Sequence, residues 1–200
     1  MRWIGTLALG FLLVGAGLPG EGVASTWVID SAHSNAQFAV RHLVVSKVRG
    51  HLGTVTGTMT LDEKNLAASS VVAEVDVTGV STANAKRDDH LRAEDYLDTA
   101  KYPTLSFRSK SVSADGENRF RVVGDLTLRG VTREVELEVE GSPKPIVDPW
   151  GKTRLGGVVR AEIKRDDFGI GGQKLMDGGG LVMGNEVEIT IDVELTKTAD

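Results

Sequence analysis

From Trp27 almost to the end of the chain, apolar and polar residues alternate, and this two-residue period constrains the fold more than any other feature. It gives each strand one dry and one wet face. Ala36, Phe38 and Val40 share a face, with Gln37, Ala39 and Arg41 on the other. Val71, Ala73, Val75 and Val77 alternate with Val72, Glu74, Asp76 and Thr78. Phe120, Val122, Gly124, Leu126 and Leu128 oppose Arg119, Arg121, Asp125, Thr127 and Arg129. Val135, Leu137 and Val139 oppose Glu134, Glu136, Glu138 and Glu140, and Val187 to Leu195 repeats the pattern. Strands that are wet on one side belong to antiparallel sheets, because parallel strands under helices are apolar on both faces. Turn signals at 62–65, 114–118, 128–132 and 142–152 separate them. Eight or nine long strands joined hairpin after hairpin predict an all-β chain, folded as an extended antiparallel β-barrel of about eight strands.

The first 24 residues do not share this pattern. Arg2 precedes an apolar run from Trp3 to Leu18, and small residues follow up to Ser25. That layout predicts a secretory signal peptide over 1–24, cleaved near Ala24 or Ser25. Four glycines interrupt the run, which is shorter than a comfortable membrane span. The chain has no cysteine, which excludes a lipid-modified cysteine at the cleavage site and any disulfide. The expectation is one barrel domain over 25–200, with no membrane span in the mature chain, in the periplasm or secreted. The net charge is −5, and the leader removes one charge of each sign, Arg2 and Glu21. That balance argues against nucleic acid as a partner.

Two regions break the alternation. Across 84–97 the β-branched residues give way to Ala, Lys, Arg, Glu, Asp and Leu, which predicts a short helical segment. Leu91 and Leu97, with Tyr96, are its apolar anchors; so narrow a face can cover an opening but cannot organise a core. The seven glycines of 168–186 predict a mobile loop or irregular edge, and 142–150 a long hairpin connection.

The stretch KRDDHLRAEDYLD, residues 86–98, concentrates acids around His90. On a helix its neighbours at three and four positions are Lys86, Arg87, Ala93 and Glu94, which gives at most one carboxylate partner. A catalytic zinc usually takes three protein ligands, so a salt-bridged cap accounts for this stretch better than a metal or catalytic centre. Strand parity carries His42 to the face of Phe38 and Val40, and Arg165 to the face of Leu155, Val159 and Ile163. Each then has two readings: an internally bonded core residue, or the polar group that meets a ligand head. A carboxylate partner is expected for a buried arginine. The glycines at 169, 171 and 172 do not form a phosphate-binding G-x-G-x-x-G, and no G-x-S-x-G surrounds a serine.

Small inward residues such as Ala36, Ala73, Gly124, Gly157 and Ala161 favour an internal cavity, against tight barrel bends at glycine as the structural explanation. Only eight of the ten aromatics lie beyond the leader to fill it. Strand parity nominates as ligand-lining residues Ala36, Phe38, Val40, His42, Val75, Phe107, Leu126, Leu128, Val159, Ile163, Arg165, Phe168 and Ile170.

The segments WVIDSAHSNAQFAVRHL at 27–43, VRGHLGTVTGTM at 48–59, RDDHLRAEDYLDTAKYPTLSFRS at 87–109, VVGDLTLRGVTREVEL at 122–137 and IKRDDFGI at 163–170 together resemble the YceI-like family. The resemblance implies a lipocalin-like barrel exported in bacteria, with a hydrophobic pore for an amphiphile such as a polyisoprenoid quinone or fatty-acid derivative. It implies no catalysis, and no cofactor beyond such a bound lipid. Arg87, Asp88, His90 and Leu91 then read as architectural. Ala93 stands where the family commonly has a capping Ser and Leu97 where an aromatic is common, so a looser second helical turn is expected.

Each functional reading predicts a different interior. A lipid carrier requires a continuous apolar tunnel. A metal or His/carboxylate enzyme requires two of His33, His42, His51 and His90 in one coordination shell. An interaction or stress protein, working through its acidic 134–140 face or the 168–186 loop, would have a filled barrel. A homodimer is compatible with all three.

Overall fold

The computed structural model describes residues 24–141, 144–172, 175–176 and 181–198. The predicted leader lies outside them, apart from Ala24, as do parts of the predicted connections at 142–150 and 168–186. Ten strands form: β1 (Ser25–Ile29), β2 (Asn35–His42), β3 (Ser46–Leu61), β4 (Ser70–Asp76), β5 (Thr104–Ala114), β6 (Arg119–Leu128), β7 (Val131–Gly141), β8 (Ile146–Val147), β9 (Thr153–Lys164) and β10 (Met183–Lys197). Between β3 and β10, β1 and β2 lie end to end: Trp27 is opposite Met59 and Lys197, and Val40 is opposite Val48 and Val187. They serve as one interrupted strand, while β8 merely extends the edge of β9. Pairing of β9 with β10 closes an antiparallel barrel of eight strands and leaves no long edge exposed.

The alternation in the sequence is the inside–outside alternation of this barrel. In β6, Val122, Gly124, Leu126 and Leu128 are buried while Arg119 and Arg121 are exposed. At the end where β1 starts and β10 finishes, Trp27, Val55, Val75, Phe107, Val122, Leu126 and Leu195 pack as one core. The Trp27 indole Nε1 donates to Ser25 Oγ at 2.9 Å, so its polar edge is satisfied while the ring is buried. Gly124 belongs to this packing and not to a void, because a Cβ there would come within 2.6 Å of the Phe107 ring. Gly157 likewise allows close approach of the β7 backbone, with Glu140 O 2.9 Å from its Cβ position. Small inward residues at these two places are a device of barrel packing, which corrects their reading as signs of a cavity.

At the other end the β4–β5 connection carries α1 (Ala85–Arg92), shorter than the predicted 84–97. The Asn84 side chain caps it by accepting from Arg87 N at 3.0 Å. Beyond Arg92 the chain continues in turns, with Leu97 N donating to Leu91 O at 3.0 Å and Asp98 N to Ala93 O at 2.9 Å. The buried Asp88 accepts from Thr82 N at 2.7 Å and Ser81 Oγ at 3.2 Å, and the Thr82 hydroxyl with these bonds holds its carboxyl below the usual range. Arg87 Nε donates to Thr82 Oγ1 at 2.7 Å. The acid-rich stretch is therefore a polar anchor that fixes α1 across the barrel opening.

A second polar anchor lies on the outer wall. Arg154 donates from Nε to Asp148 Oδ2 at 2.6 Å and from Nη1 to Asp30 Oδ2 at 2.9 Å, and it also contacts Glu194. His33 and Arg154 hold the Asp30 carboxyl well below the usual carboxylate range, and Arg154 does the same for Asp148. A depressed folded-state pKa contributes stability above the unfolded value near ~3.9, and that contribution is lost as pH falls through the folded value. In Arg154→Met, Asp148 loses its counter-charge and Asp30 keeps only His33, so the folded pKa values of these two aspartates rise. Acid unfolding followed by circular dichroism between pH 6 and pH 2 is then expected to begin about one pH unit higher than in the wild type. An unchanged acid transition would show that Arg154 does not hold these strands together.

Candidate functional site

The α1 end of the barrel is incompletely filled. Phe38 and Val40 of β2, Leu52 of β3, Leu105 of β5, Leu128 of β6, Ile163 of β9 and Met183, Val187 and Ile189 of β10 surround a cavity of about 80 Å³. Val80, Leu91, Tyr96, Leu97 and Ile170 complete it as a roof. Leu91 and Leu97, the apolar anchors read from the sequence, do face this opening. The inner wall of β7, β9 and β10 is also loosely covered: Val135, Leu137, Val139, Val159, Ile191 and Val193 point inward yet are only half-buried. Across the barrel, Val55, Val75 and Val122 are buried.

Arg165 is the one charged side chain in the lining, at 2% exposure. It reaches the cavity because Ile163 faces inward and the short 3₁₀ turn Arg165–Phe168 begins immediately after β9. Its Nε donates to Gly184 O at 2.9 Å, Nη1 to Ile170 O and Gly171 O at 2.8 Å each, and Nη2 to Met183 O at 3.2 Å. Asp166 Oδ1 lies 3.4 Å from Nη1. A guanidinium has five N–H donors, so at most one remains for a ligand. The expected carboxylate partner is present, but backbone carbonyls carry most of the satisfaction, and the side chain ties both ends of the β9–β10 connection together.

Of the residues nominated by parity, Phe38, Val40, Leu128, Ile163, Arg165 and Ile170 line the cavity. Ala36, Val75, Phe107, Leu126 and Phe168 are buried in the packed interior, and Val159 is half-buried on the β9 wall. His42 is exposed, which corrects its assignment to the apolar interior. Its parity matches Val40, but β2 ends there and the chain turns back at Leu43, so the side chain has passed the rim of the barrel. Leu52, Leu105, Met183, Val187 and Ile189 went unnominated. The alternation of β10 already placed Val187 and Ile189 inward. Leu52 was hidden by a bulge: Ala36 pairs with Gly53 but Gln37 with His51, and Gly53 has a φ of 144°. Even-numbered residues face inward before that point and odd-numbered ones after it.

The histidines do not converge. His33 Nδ1 is 3.0 Å from Asp30 Oδ2, His51 Nδ1 is 2.9 Å from Asn35 Oδ1, and His90 Nε2 is 2.9 Å from Asp95 Oδ2. Among the described residues, the one grouping of three ligand-type side chains is Asp30, His33 and Glu194, with a single histidine. Arg154 already bonds both of its carboxylates. The expectation of a two-histidine coordination shell is not met among these residues. Of the expected apolar interior, the space described is the chamber at the α1 end, with the half-buried β7–β9–β10 wall beside it.

An antiparallel barrel with an apolar chamber under a helical cap at one end is lipocalin-like in architecture. The chain belongs to the YceI-like domain family, which matches residues 27–195. It is 42% identical over 153 residues to Protein YceI of Escherichia coli O17:K52:H18, covering 76% of this chain and 79% of that one. It is 38% identical over 163 residues to the UPF0312 protein VPA0850 of Vibrio parahaemolyticus, covering 80% and 85%. Among solved structures, BcnA of Burkholderia cenocepacia superposes with a TM-score of 0.70 at 22% identity, covering 83% of this chain and 98% of that one. A polyisoprenoid binding domain from Saccharophagus degradans, implicated in plant cell wall breakdown, superposes at 0.61 with 13% identity, covering 86% and 98%. At these identities the two structures establish a shared fold.

Proposed function

We propose that this protein binds an amphiphile with an isoprenoid or fatty-acid-like tail in the α1-end chamber, and stores or carries it in the periplasm once residues 1–24 are removed. The observation that carries this reading is the chamber lining, which is aliphatic or aromatic throughout except for Arg165. The likeness to the polyisoprenoid binding domain from Saccharophagus degradans supports the same ligand class. Binding, without chemistry, is the proposed activity.

The size of the chamber shapes the mechanism. An apolar cavity of about 150 Å³ binds one benzene, so a chamber of about 80 Å³ accommodates only a few methylene groups before the lining moves. Met183, an unbranched and adaptable side chain, lines the space, and the half-buried β7–β9–β10 wall offers the direction in which a tail extends. Each methylene buried is worth about 0.8 kcal/mol, so a five-carbon isoprene unit contributes at most about 4 kcal/mol. About eight units would nominally exceed the 18–21 kcal/mol ceiling on non-covalent affinity. Chain ordering, displacement of the lining and a tail left partly outside reduce that sum.

Tail length therefore dominates affinity, while the head group meets the rim. In a fluorescence-quenching titration with isoprenoid quinones of two to eight units, shortening the tail is expected to weaken binding at least tenfold more than replacing the quinone by an alcohol. Equal losses would contradict this reading.

A further inference from the structure

The turn between β2 and β3 leaves three successive aliphatic side chains in solvent: Leu43 is 39% exposed, Val44 61% and Val45 84%. The backbone there runs against residue preference. Leu43 and Val44 adopt φ values of 52° and 64°, a region that Asn and Gly enter readily and a β-branched residue rarely does. A turn that served only to reverse the chain would do so better with Asn-Gly. The tip instead combines backbone strain with exposed apolar surface, and strain of this kind concentrates at functional positions.

The tip stands at the chamber's rim. Leu43 N donates to Val182 O at 2.8 Å, and Val40 and Met183 just behind it line the cavity. On the outer face below the tip, Arg41 is in register with Lys47, and Arg49 follows two pairs further on, opposite Ala39. Glu188 pairs with Lys47 and is further lowered in pKa by the charges of Arg41 and Arg49, so one carboxylate faces three cations. A basic collar beneath an apolar tip is a local reversal on a chain of net charge −5.

We propose that the Leu43–Val45 tip is a docking wedge that seats the chamber end on an anionic lipid bilayer. The aliphatic side chains enter the headgroup layer, and Arg41, Lys47 and Arg49 meet the phosphates. Its purpose, exchange of an amphiphile with the bilayer, rests on the function proposed above; the docking itself does not.

The test is co-sedimentation of the protein, purified from its bacterial host, with vesicles of phosphatidylcholine alone or with about 30% phosphatidylglycerol. Binding is expected to require the anionic lipid and to weaken with salt. The double variant Val44→Asn/Val45→Asn is expected to lose at least tenfold in vesicle affinity. Arg41→Gln and Arg49→Gln are expected to cost about fivefold each. Asn tolerates positive φ, so the double variant should keep or raise its urea midpoint, which separates lost docking from misfolding. Ile146, Val147 and Trp150 form a second exposed apolar patch at the opposite end, and Trp150→Gln is expected to change nothing. No binding to anionic vesicles, or equal binding by wild type and tip variants, overturns the proposal. So does loss on Trp150→Gln alone, or a tip that instead mediates dimerisation in analytical ultracentrifugation. Vesicle binding without uptake of any amphiphile from solution would leave the docking intact and remove the carrier function.

Discussion

Val187→Phe leaves the barrel folded and lowers amphiphile affinity at least tenfold. Val187 faces the chamber from β10, in register with Val40 on one side and Ile163 on the other. A phenyl ring placed there takes the space that the first methylene groups of a tail would enter, since the chamber offers only about 80 Å³. The ring is apolar and enters a partly empty site, so the usual overpacking cost of about 1–3 kcal/mol is partly relieved. Thermal unfolding is therefore expected within a few degrees of wild type, while a quinone titration loses most of its signal. Unchanged affinity with an unchanged melting curve would place the ligand somewhere other than this chamber.

Arg165→Met lowers the free energy of unfolding by about 3–5 kcal/mol, the range for removing one partner of a buried ionic network. Methionine preserves much of the side chain's bulk but abandons the carbonyls of Ile170, Gly171, Met183 and Gly184. An unsatisfied buried carbonyl carries its full desolvation cost; that of Ile170 is buried and the other three are half-buried. Arg165→Lys is not expected to restore the loss, because a compact ammonium lacks the planar fork that spans two chain segments. Urea denaturation reads both variants directly. A loss below about 1 kcal/mol in Arg165→Met would mean that the β9–β10 connection is held by other contacts, and would return Arg165 to the role of a head-group partner.

The two roles considered for Arg165 illustrate what sequence can and cannot carry here. Parity alone brought the side chain to the inner face, because a strand's two-residue period is a local property of the backbone. Its bonding partners are carbonyls 5 to 19 residues away along the chain, and no side-chain pattern encodes where a carbonyl points. The barrel itself was legible for the first reason: long strands with one wet face have few other ways to bury the dry one.

The chamber was legible only in part, for reasons that are also physical. His42 continued the parity of Val40 but lay beyond the rim, because alternation does not say where a barrel stops. Leu52 was concealed by the bulge at Gly53, which exchanges the two faces of β3 midway. Gly124 leaves no space, because the ring of Phe107 on the neighbouring strand lies across it. Which half of a barrel is filled depends on cross-strand register, a non-local property that one strand's composition does not determine.

The central claim is that an amphiphile occupies the chamber under α1, and native mass spectrometry of the protein purified from its bacterial host tests it most directly, with solvent extraction to identify what is released. The account predicts a one-to-one adduct with the mass of a long-tailed lipid, lost from Val187→Phe. Protein that arrives empty, and stays empty after incubation with isoprenoid quinones and fatty acids, would contradict it and leave a filled barrel that acts through its surface.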